Sequence, residues 1–408
     1  MQNNLIFYYS KNNRYSINAI LSALEQKEII NKLKIFLVSK ENDLIKISNE
    51  LLNPIIVFSF FTPQIWEIKE IISKINKKAV LIAGGPHPTG EPEDTLKMGF
   101  NYVLVGEGEI TFPKYIEGII LNKELNKIGK NKEYVNLNDF FPFPRKTIKK
   151  FGAIEITRGC PFACNFCQTS RIFGRKVRHR SIEKIVEIVE YMKNNNRTDI
   201  RFITPNAFSY GSIDGKIVNL EMIELLLKEI KKVLKENGRI FFGSFPSEVR
   251  PEHVNEDILA KIKPFISNKN LIIGAQSGSE KILKKANRSH TVSDVYNAVK
   301  VAKKFGFIPN VDFIFGLPQE DTSDIDDTIK VMKDLIKMGA RIHAHTFMPL
   351  PQTPFKYEKP GKIPKKILNI FKHEIPKGVI FGNYVNQEKI AMRIYNYFRS
   401  RKEREDEN

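Results

Sequence analysis

The chain has 408 residues, with 65 lysines and arginines against 46 aspartates and glutamates, and a formal net charge of +19. This length exceeds what one hydrophobic core organises, so we expect two domains and a tail. No stretch reaches the roughly 18 consecutive apolar residues that cross a bilayer, and the first residues are typical of a strand rather than an export signal. We therefore expect a cytoplasmic protein without a membrane span.

The positive charge raises the question of a nucleic-acid partner, because a basic field attracts polyanions. The lysines are, however, interleaved with acids along helix faces rather than gathered into one stripe. RNA or DNA therefore stays open as a partner but is not favoured, since an anionic small molecule accounts for the field equally well.

The first 120 residues alternate short apolar runs with helix-length segments. Because the runs are rich in β-branched and aromatic residues, they predict parallel strands buried on both faces, at residues 5–9, 34–38, 55–61, 79–83 and 102–105. Such strands with crossover helices form a doubly wound, Rossmann-like α/β sheet, whose ligands bind at the carboxyl ends of the strands. The loops at that edge carry the candidate ligand contacts: Ser59, Gly84, Gly85, His87, Gly106, Glu107 and Gly108.

The remainder of the chain has a second alternating region. Residues 121–150 are polar and proline-broken, which predicts a linker. Residues 151–355 predict a partial (β/α)6 barrel similar to a TIM barrel, with its site at the carboxyl ends of the strands. Its strands are expected at residues 154–157, 200–204, 239–244, 271–275, 311–315 and 341–347, with a helix capped by Ser181. Residues 356–408 predict a short C-terminal extension that ends in a frayed or disordered charged tail.

All three cysteines of the chain lie in one short run, as Cys160, Cys164 and Cys167. A C-x3-C-x2-C loop places three soft thiolates around one point, which suits an iron–sulfur cluster with one iron open to a ligand. The alternative is a zinc site completed by His179 or another histidine, since Cys3His is a common zinc set. Zinc sites usually show paired C-x2–4-C halves, and this sequence has no second half.

This loop, preceded by a strand and Arg158-Gly159, resembles the radical S-adenosylmethionine superfamily. The resemblance implies a 4Fe-4S cluster on the three cysteines, whose open iron chelates S-adenosylmethionine and whose electron cleaves it to a 5′-deoxyadenosyl radical. It also implies that Phe166 packs near the adenine and that Asn206 meets the methionyl ammonium. Contacts to the ribose, the carboxylate and the backbone of the ligand are implied for Ser244, Arg250, Gln276, Ser277 and Gly278.

The segments Gly84-Gly-Pro-His-Pro and Tyr102-Val-Leu-Val-Gly-Glu-Gly-Glu are similar to the cobalamin-binding domains that precede some radical enzymes. Members that place a histidine on cobalt carry Asp-x-His-x-x-Gly after the first strand, and residues 10–16 contain no histidine. The resemblance therefore implies cobalamin without a protein histidine on cobalt. His87 is interpreted as a loop residue near the pocket, and a domain that has lost cobalamin stays an alternative.

Taken together, the resemblance implies a cobalamin-dependent methyltransferase that acts on an unactivated carbon of a small molecule, with an electron donor such as ferredoxin or flavodoxin. A radical cyclase, a rearrangement enzyme and a cobalamin or redox sensor are the alternatives. Methylthiolation of tRNA is disfavoured, because those enzymes hold a second cluster on three further cysteines. Four side chains are left as candidates for the substrate side: His179, Tyr210, His343 and His345.

Overall fold

The computed structural model describes residues 2–131 and 133–406. The chain divides into two compact units, Met1–Ala153 and Ile154–Asn408, each with parallel sheet structure of its own. No helix in the described ranges combines the length and the apolar character that a membrane crossing requires.

The first unit is built on one six-stranded parallel sheet in the order β2-β1-β3-β4-β5-β6. Its strands are β1 Asn3–Tyr8, β2 Leu33–Val38, β3 Ile55–Ser59, β4 Val80–Gly84, β5 Tyr102–Val105 and β6 Ile128–Lys130. The predicted doubly wound sheet is confirmed, because the chain runs outward from β1 in both directions and the five expected strands are all present.

Helices cover both faces of this sheet. They are α1 Arg14–Leu24, α2 Glu41–Glu50, α3 Ile65–Lys74, α4 Pro86–Gly90, α5 Pro92–Lys97 and α6 Gly108–Ile120. Side chains of β1 alternate between two cores: Leu5 and Phe7 pack in the core that includes α1 and α6, whereas Ile6 and Tyr8 pack in the core on the opposite face. Because these strands are buried on both faces, their sequences are continuous apolar runs without polar alternation.

Residues 121–150, which the sequence predicts as a linker, are fixed to the first unit in this structure. They supply the edge strand β6, and the segment near residue 146 is held by the buried carboxylate of Glu25. That carboxylate accepts the backbone N–H groups of Arg145, Lys146 and Thr147 at 2.6–2.9 Å and the Thr147 hydroxyl at 2.6 Å. The backbone N–H groups of this segment are thus satisfied by a side chain distant in sequence, which holds the segment in place.

Replacing Glu25 by alanine is expected to destabilise the first unit by about 2–3 kcal/mol, because hydrogen bonds to a charged group are strong and their donors would stay buried. Urea unfolding and the proteolytic sensitivity of residues 141–150 measure this effect. Glu28→Ala removes an exposed carboxylate three residues away and is the matched control. Equal stability of the two variants would show that Glu25 does not anchor the segment.

The second unit is a partial barrel of parallel strands. Its strands are β7 Ile154–Glu155, β8 Thr157–Arg158, β9 Arg178–His179, β10 Asp199–Ile203, β11 Arg239–Phe241, β12 Asn270–Gln276, β13 Ile308–Phe315, β14 Arg341–Thr346 and β15 Ile380–Phe381. The ladders β7-β10-β11 and β12-β13-β14-β15 are joined by a parallel bridge between Val249 and Ile273, and β8 and β9 form a small antiparallel pair. This confirms the predicted barrel fold, with β15 as an addition.

Helices follow the barrel strands. They are α7 Thr169–Phe173, α8 Ile182–Asn194, α9 Leu220–Leu234, α10 Glu256–Ile262, α11 Glu280–Lys285, α12 Val292–Lys304, α13 Thr322–Lys337, α14 Lys365–Glu374 and α15 Tyr384–Asp406. Six of those described begin at a side-chain cap, namely α8, α9, α10, α11, α12 and α13. Ser181 caps α8 as expected, with its side chain accepting the Lys184 N–H at 3.2 Å.

The prediction of a disordered tail is wrong for residues 399–406, which belong to helix α15. Buried Ala391, Ile394 and Phe398 anchor one side of this helix. Arg399 donates to Glu403 at 2.7 Å, an i,i+4 pair that helps the helix to continue through its charged end. Residues 407 and 408 lie outside the described part of the chain.

Candidate functional site

The three cysteines lie on the loop between β8 and α7, at the start of the barrel. Cys160 N–H donates to the Gly174 carbonyl at 3.1 Å, and Cys167 N–H donates to the Cys164 carbonyl at 3.0 Å, which turns the loop back on itself. Ala163 between them has φ of +50°, a left-handed conformation that costs a non-glycine residue energy. The loop therefore contains a strained residue between its first two cysteines, and its thiols are near enough to affect one another electrostatically.

The connection between α11 and α12 holds this loop from the opposite side. The Asn287 amide donates to the carbonyls of Phe162 and Ala163 at 2.8 and 3.1 Å, and Asn165 N–H donates to the Ala286 carbonyl at 3.0 Å. Arg288 extends one guanidinium nitrogen to Cys164 Sγ at 3.6 Å and another to the Gly274 carbonyl at 2.6 Å. Arg288 thus places a cationic donor against the buried sulfur of Cys164.

Burial keeps two of the thiols protonated when nothing is bound. Loss of hydration raises the pKa of Cys160, and it raises that of Cys167 to about 11, with neighbouring cysteines adding to both effects. A bound metal or cluster reverses this preference, because ligation requires and stabilises thiolates. The chemistry of the donor set therefore fits a metal cluster, and binding of the cluster would release protons.

Next to Phe166 of the cysteine loop lies a cavity of about 270 Å³. Its polar lining comes from the barrel strands, from the segments next to them and from α15, and its apolar lining comes largely from β13 and the segment after β14. The residues around it are Phe166, Glu248, Gln276, Asp312, Ile314, His345, Thr346, Phe347, Met348, Leu350 and Gln387. The volume is close to the lower end of small-molecule pockets, and aromatic, amide and carboxylate groups converge in it.

Gln276 reaches this cavity through an irregularity in β12. The register with β13 shifts between Gly274 and Gln276, and Gln276 has φ of +74°. Bulges near sites of chemistry commonly redirect a side chain in this way. A Cβ on Gly274 would come within 2.8 Å of the Gln276 amide nitrogen and 3.1 Å of Glu248 Oε2, so glycine leaves room for both.

Three charged residues of this region were not singled out from the sequence: Glu248, Arg288 and Asp312. Burial raises the pKa of Glu248, with the charge of Asp312 adding to it, and the nearby Arg288 and Arg250 oppose this rise. For Arg288, burial alone lowers the pKa, but the Cys164 and Glu248 charges raise it beyond its ordinary value. Asp312 could have been identified from the sequence, because a single charged residue within an otherwise apolar strand is unusual and indicates a functional position.

Several buried polar atoms of the second unit have no hydrogen-bond partner among the described residues. Among them are Ser244 Oγ, Arg250 Nη2, Glu252 Oε2 and Arg288 Nε. Buried polar groups without partners are rare in folded proteins and are costly, so they mark places where a ligand or water completes the bonding. Their mix of hydroxyl, carboxylate and guanidinium groups fits a ligand with hydroxyl, carboxylate and ammonium groups.

Arg250 and Asn206, both expected to contact the ligand, are linked to each other in this structure. The Arg250 guanidinium is buried, lies 3.5 Å above the centre of the Phe162 ring in the cysteine loop, and donates to Glu252 at 2.6 Å. Asn206, by contrast, uses both ends of its amide within the protein: the nitrogen contacts His253 Nδ1 at 2.8 Å and the oxygen accepts from Arg250 N–H at 3.3 Å. Asn206 thus positions Arg250 in this structure.

Ser277 and Gly278 are turned toward protein rather than toward the cavity. Ser277 Oγ accepts the Ser279 N–H at 3.2 Å, and Gly278 N–H donates to Thr328 Oγ1 at 3.1 Å. A Cβ on Gly278 would lie 2.5 Å from the Thr328 Cα, so this glycine permits close packing against α13.

His343 and His345 project to the same side of β14, as their spacing predicts. Asp312 is the cross-strand partner of His343, and its carboxylate contacts His343 Nδ1 at 3.0 Å, while His345 Nε2 contacts the same nitrogen at 3.1 Å. One ligand atom from each of the three residues lies within 4.8 Å of the others, so the set could hold a metal ion. Asp312 and His345 also line the cavity, and burial lowers the pKa of His345.

The other two substrate-side candidates do not line the cavity. His179 Nε2 contacts the Ser212 carbonyl at 2.8 Å and its Nδ1 contacts the Thr157 hydroxyl at 2.9 Å, so both ring nitrogens are committed. This arrangement argues against His179 as a fourth zinc ligand. Buried Tyr210 donates to the Arg180 carbonyl at 2.8 Å.

In the first unit, Ser59, Gly84 and Gly106 lie at the carboxyl ends of adjacent strands. Ser59 and Gly84 are cross-strand partners, and Ser59 Oγ is 2.9 Å from Ser16 Oγ. A Cβ placed on Gly106, which has φ of +81°, would meet nothing within 4 Å, so open space lies against its backbone. This edge fits a large ligand that approaches the backbone closely.

The remaining candidates at this edge serve packing. His87 is fully buried in helix α4 rather than in the expected loop, since Gly85 turns the chain at φ of +97° and Pro86 starts the helix. Its Nδ1 lies 3.3 Å from the Thr62 hydroxyl. Glu107 accepts the Val135 N–H at 2.9 Å. Gly108 begins α6, and a Cβ at this position would lie only 2.9 Å from the Ile20 side chain.

Comparison with protein families gives two matches. Residues 154–332 match the radical SAM superfamily, and residues 16–116 match the B12 binding domain.

Individual relatives agree with this division. A candidate methylthiotransferase of Methanocaldococcus jannaschii is 32% identical over 67% of this chain and 63% of its own length. An uncharacterized methyltransferase of Pyrococcus horikoshii is 26% identical over 66% of this chain and 61% of its length. This chain therefore spans less than two thirds of the length of these curated relatives.

Among solved structures, the chain is similar to the radical S-adenosylmethionine methyltransferase TsrM from Kitasatospora setae. One TsrM structure contains cobalamin and a [4Fe-4S] cluster and gives a TM-score of 0.66 at 14% identity, over 88% of this chain and 77% of that one. A second contains tryptophan substrate and a SAM analogue and gives a TM-score of 0.67 at 14% identity, over 88% and 75% of the two chains. At this identity the likeness concerns the fold.

Proposed function

Because this chain belongs to the radical SAM superfamily and carries a B12-binding domain ahead of its radical SAM domain, we propose that it is a cobalamin-dependent radical enzyme that methylates an unactivated carbon of a small molecule. The observation that carries the proposal is the combination, in one chain, of a three-cysteine loop beside a polar cavity and a doubly wound sheet with an open carboxyl edge.

Cys160, Cys164 and Cys167 would hold a 4Fe-4S cluster, which supplies the electron that cleaves S-adenosylmethionine to a 5′-deoxyadenosyl radical. The unpartnered groups of Ser244, Arg250 and Arg288 support binding of that ligand next to the cysteine loop. Phe166 and Gln276 line the adjoining cavity, where they would orient the ligand and exclude water.

The carboxyl edge of the first unit, with Ser59, Gly84 and Gly106, would hold cobalamin, which supplies the methyl group when it is bound. Each methylation would consume two S-adenosylmethionine molecules: one yields 5′-deoxyadenosine and methionine, and the other yields S-adenosylhomocysteine. The hydrogen atom removed from the substrate carbon would end in 5′-deoxyadenosine, and two electrons would come from an external donor. Methylthiolation is not proposed, because the three cysteines of this sequence all belong to the one loop.

Anaerobic reconstitution with iron, sulfide and hydroxocobalamin tests the proposal. We expect cluster absorption together with corrin bands after desalting, and 5′-deoxyadenosine on addition of S-adenosylmethionine and dithionite. With methyl-deuterated S-adenosylmethionine and a panel of small-molecule acceptors, a labelled C-methyl product is expected. Cluster without corrin would contradict the methyltransferase and favour a radical enzyme that has lost cobalamin.

Gly106→Val is expected to weaken cobalamin binding at least about tenfold, because the added side chain fills the open space against the backbone. One unfavourable contact of about 1.4 kcal/mol raises the dissociation constant tenfold. Gly306→Val is the matched control: Gly306 has φ of +75° and a Cβ added there would also meet no atom within 4 Å, but it lies in the second unit. Corrin retained after gel filtration measures binding. Equal loss in both variants would indicate backbone strain rather than a ligand contact.

A further inference from the structure

The segment that carries the cysteines has an unusual charge. Residues 156–182 include six lysines and arginines and no aspartate or glutamate. Arg158 is paired with Glu155 at 2.6 Å, and Arg180 is buried, with Nε donating to the Glu155 carbonyl at 3.0 Å. Arg171, Arg175 and Lys176 are exposed, and none of them has an ion-pair partner among the residues that the structure describes.

Arg175 and Lys176 lie directly against the cysteine loop. The Gly174 carbonyl accepts the Cys160 N–H at 3.1 Å. Gly159 packs so tightly on this segment that a Cβ there would lie 2.2 Å from the Lys176 carbonyl oxygen. The backbone that carries Arg175 and Lys176 is therefore fixed beside the first cysteine.

Two exposed isoleucines accompany these charges. Ile213 is 98% exposed and Ile217 is 74% exposed. Among the large apolar side chains that the structure describes, Leu52, at 75%, is the one other that is as exposed as Ile217. Their loop is ordered by the Asp214 carboxylate, which accepts the N–H groups of Lys216 and Ile217 at 2.8 and 3.0 Å. An ordered loop that presents apolar side chains to water is typical of a protein interaction site.

This loop also packs on the cysteine segment. A Cβ on Gly215 would lie 2.6 Å from Val177 and 3.0 Å from Pro161, the residue that follows Cys160. Arg175, Lys176, Ile213, Lys216 and Ile217 therefore belong to one region around the cysteine loop, which we name the basic–apolar surface. Apolar side chains next to arginine and lysine match the composition of a small docking interface.

We propose that the basic–apolar surface docks an acidic one-electron carrier protein of the flavodoxin or ferredoxin class. This inference rests on the proposed function, in which the cysteines hold a cluster that must receive electrons. The reduced carrier would lose one electron and the cluster would gain it, with no atoms transferred. Electron-transfer complexes use small, weak interfaces, and opposite charge speeds the encounter. Exposed isoleucines favour a protein partner over a nucleic acid, which would call for aromatic stacking residues.

The test measures how fast the cluster of the reconstituted full chain is reduced by flavodoxin hydroquinone and, separately, by dithionite. Arg175→Glu together with Lys176→Glu is expected to slow reduction by flavodoxin at least tenfold at low salt, with a smaller difference at high salt, because screening removes the attraction. Reduction by dithionite should stay within twofold. Ile213→Ser with Ile217→Ser should slow reduction of the cluster by flavodoxin without changing the salt dependence of the rate.

The matched control is Lys333→Glu with Lys337→Glu, which changes the net charge equally on the exposed side of α13. A tenfold loss in the Arg175/Lys176 variant alone supports the surface. Equal losses in both variants, or none in either, overturn it. A variant that loses binding to a single-stranded RNA but is reduced normally by flavodoxin also overturns it, in favour of a nucleic-acid site. Failure of dithionite to reduce the wild-type protein overturns the proposed function, and this inference with it.

Discussion

Replacing Cys164 by serine is expected to reduce bound iron and sulfide to background and to lower 5′-deoxyadenosine formation by more than about 100-fold. Loss of supporting contacts around metal ligands alone costs 10–100-fold, and loss of a ligand should cost more. Cys164 is the most buried of the three cysteines and the one that Arg288 contacts, so its replacement removes a ligand and also disturbs that contact. Iron and sulfide analysis with product chromatography checks the result.

The control for this experiment is Thr169→Val. Thr169 Oγ1 lies 3.3 Å from Cys167 Sγ, so the variant alters the surroundings of one sulfur and keeps all three thiols. It should retain iron and show a loss smaller than that of Cys164→Ser. A Cys164→Ser protein that still binds four irons and cleaves S-adenosylmethionine would overturn the assignment of the cysteines.

The second large effect is expected at Arg288. Arg288→Met removes the cation that offsets the Glu248 carboxylate and the donor to Cys164. Removing one partner of a fully buried charge pair costs 3–5 kcal/mol, and because Arg288 and Glu248 are partly accessible we expect about 2–3 kcal/mol. Anaerobic denaturant unfolding of the second unit measures the change. Oxygen lability of the cluster should increase as well.

Matched variants separate charge from packing at this position. Arg288→Lys keeps the charge but cannot reach both Cys164 and Gly274, so an intermediate loss is expected. Glu248→Gln combined with Arg288→Met removes both charges and should recover most of the stability. If the double variant is no more stable than Arg288→Met, the two charges do not stabilise each other.

The same pair predicts the sign of a pH effect. Burial raises the pKa of Glu248 from 4.5 to about 7, so the folded protein holds this proton more tightly than the unfolded chain does. The Glu248 contribution to stability is therefore fully present below pH 4.5 and declines as the pH rises toward 7. In Arg288→Met the opposing cation is lost, so the decline should extend to higher pH, which unfolding measured across this range detects.

Much of the architecture could be predicted because local signals were unambiguous. The apolar runs at Leu5 and Ile55 match strands that are buried on both faces, and Ser181 begins α8 where its side-chain chemistry requires. Two segments are more ordered than their composition predicts: residues 145–147 within the expected linker, and residues 399–406 within the expected tail. In the first case a single distant carboxylate, Glu25, satisfies the backbone, and in the second, i,i+4 pairs and a few buried anchors extend the helix.

The amino-acid sequence by itself determined the class of chemistry, because three cysteines at fixed spacing on one loop form a donor set that depends on few other contacts. Only the tertiary structure decided which polar residues surround that loop. Arg288 contacts the loop at Cys164, and Glu248 and Asp312, from two other segments of the barrel, line the cavity next to it. Ser277, Gly278 and His87, which motif position favoured, turn into the protein. Side-chain direction depends on bulges, positive φ angles and packing between distant segments, and no local sequence pattern encodes these.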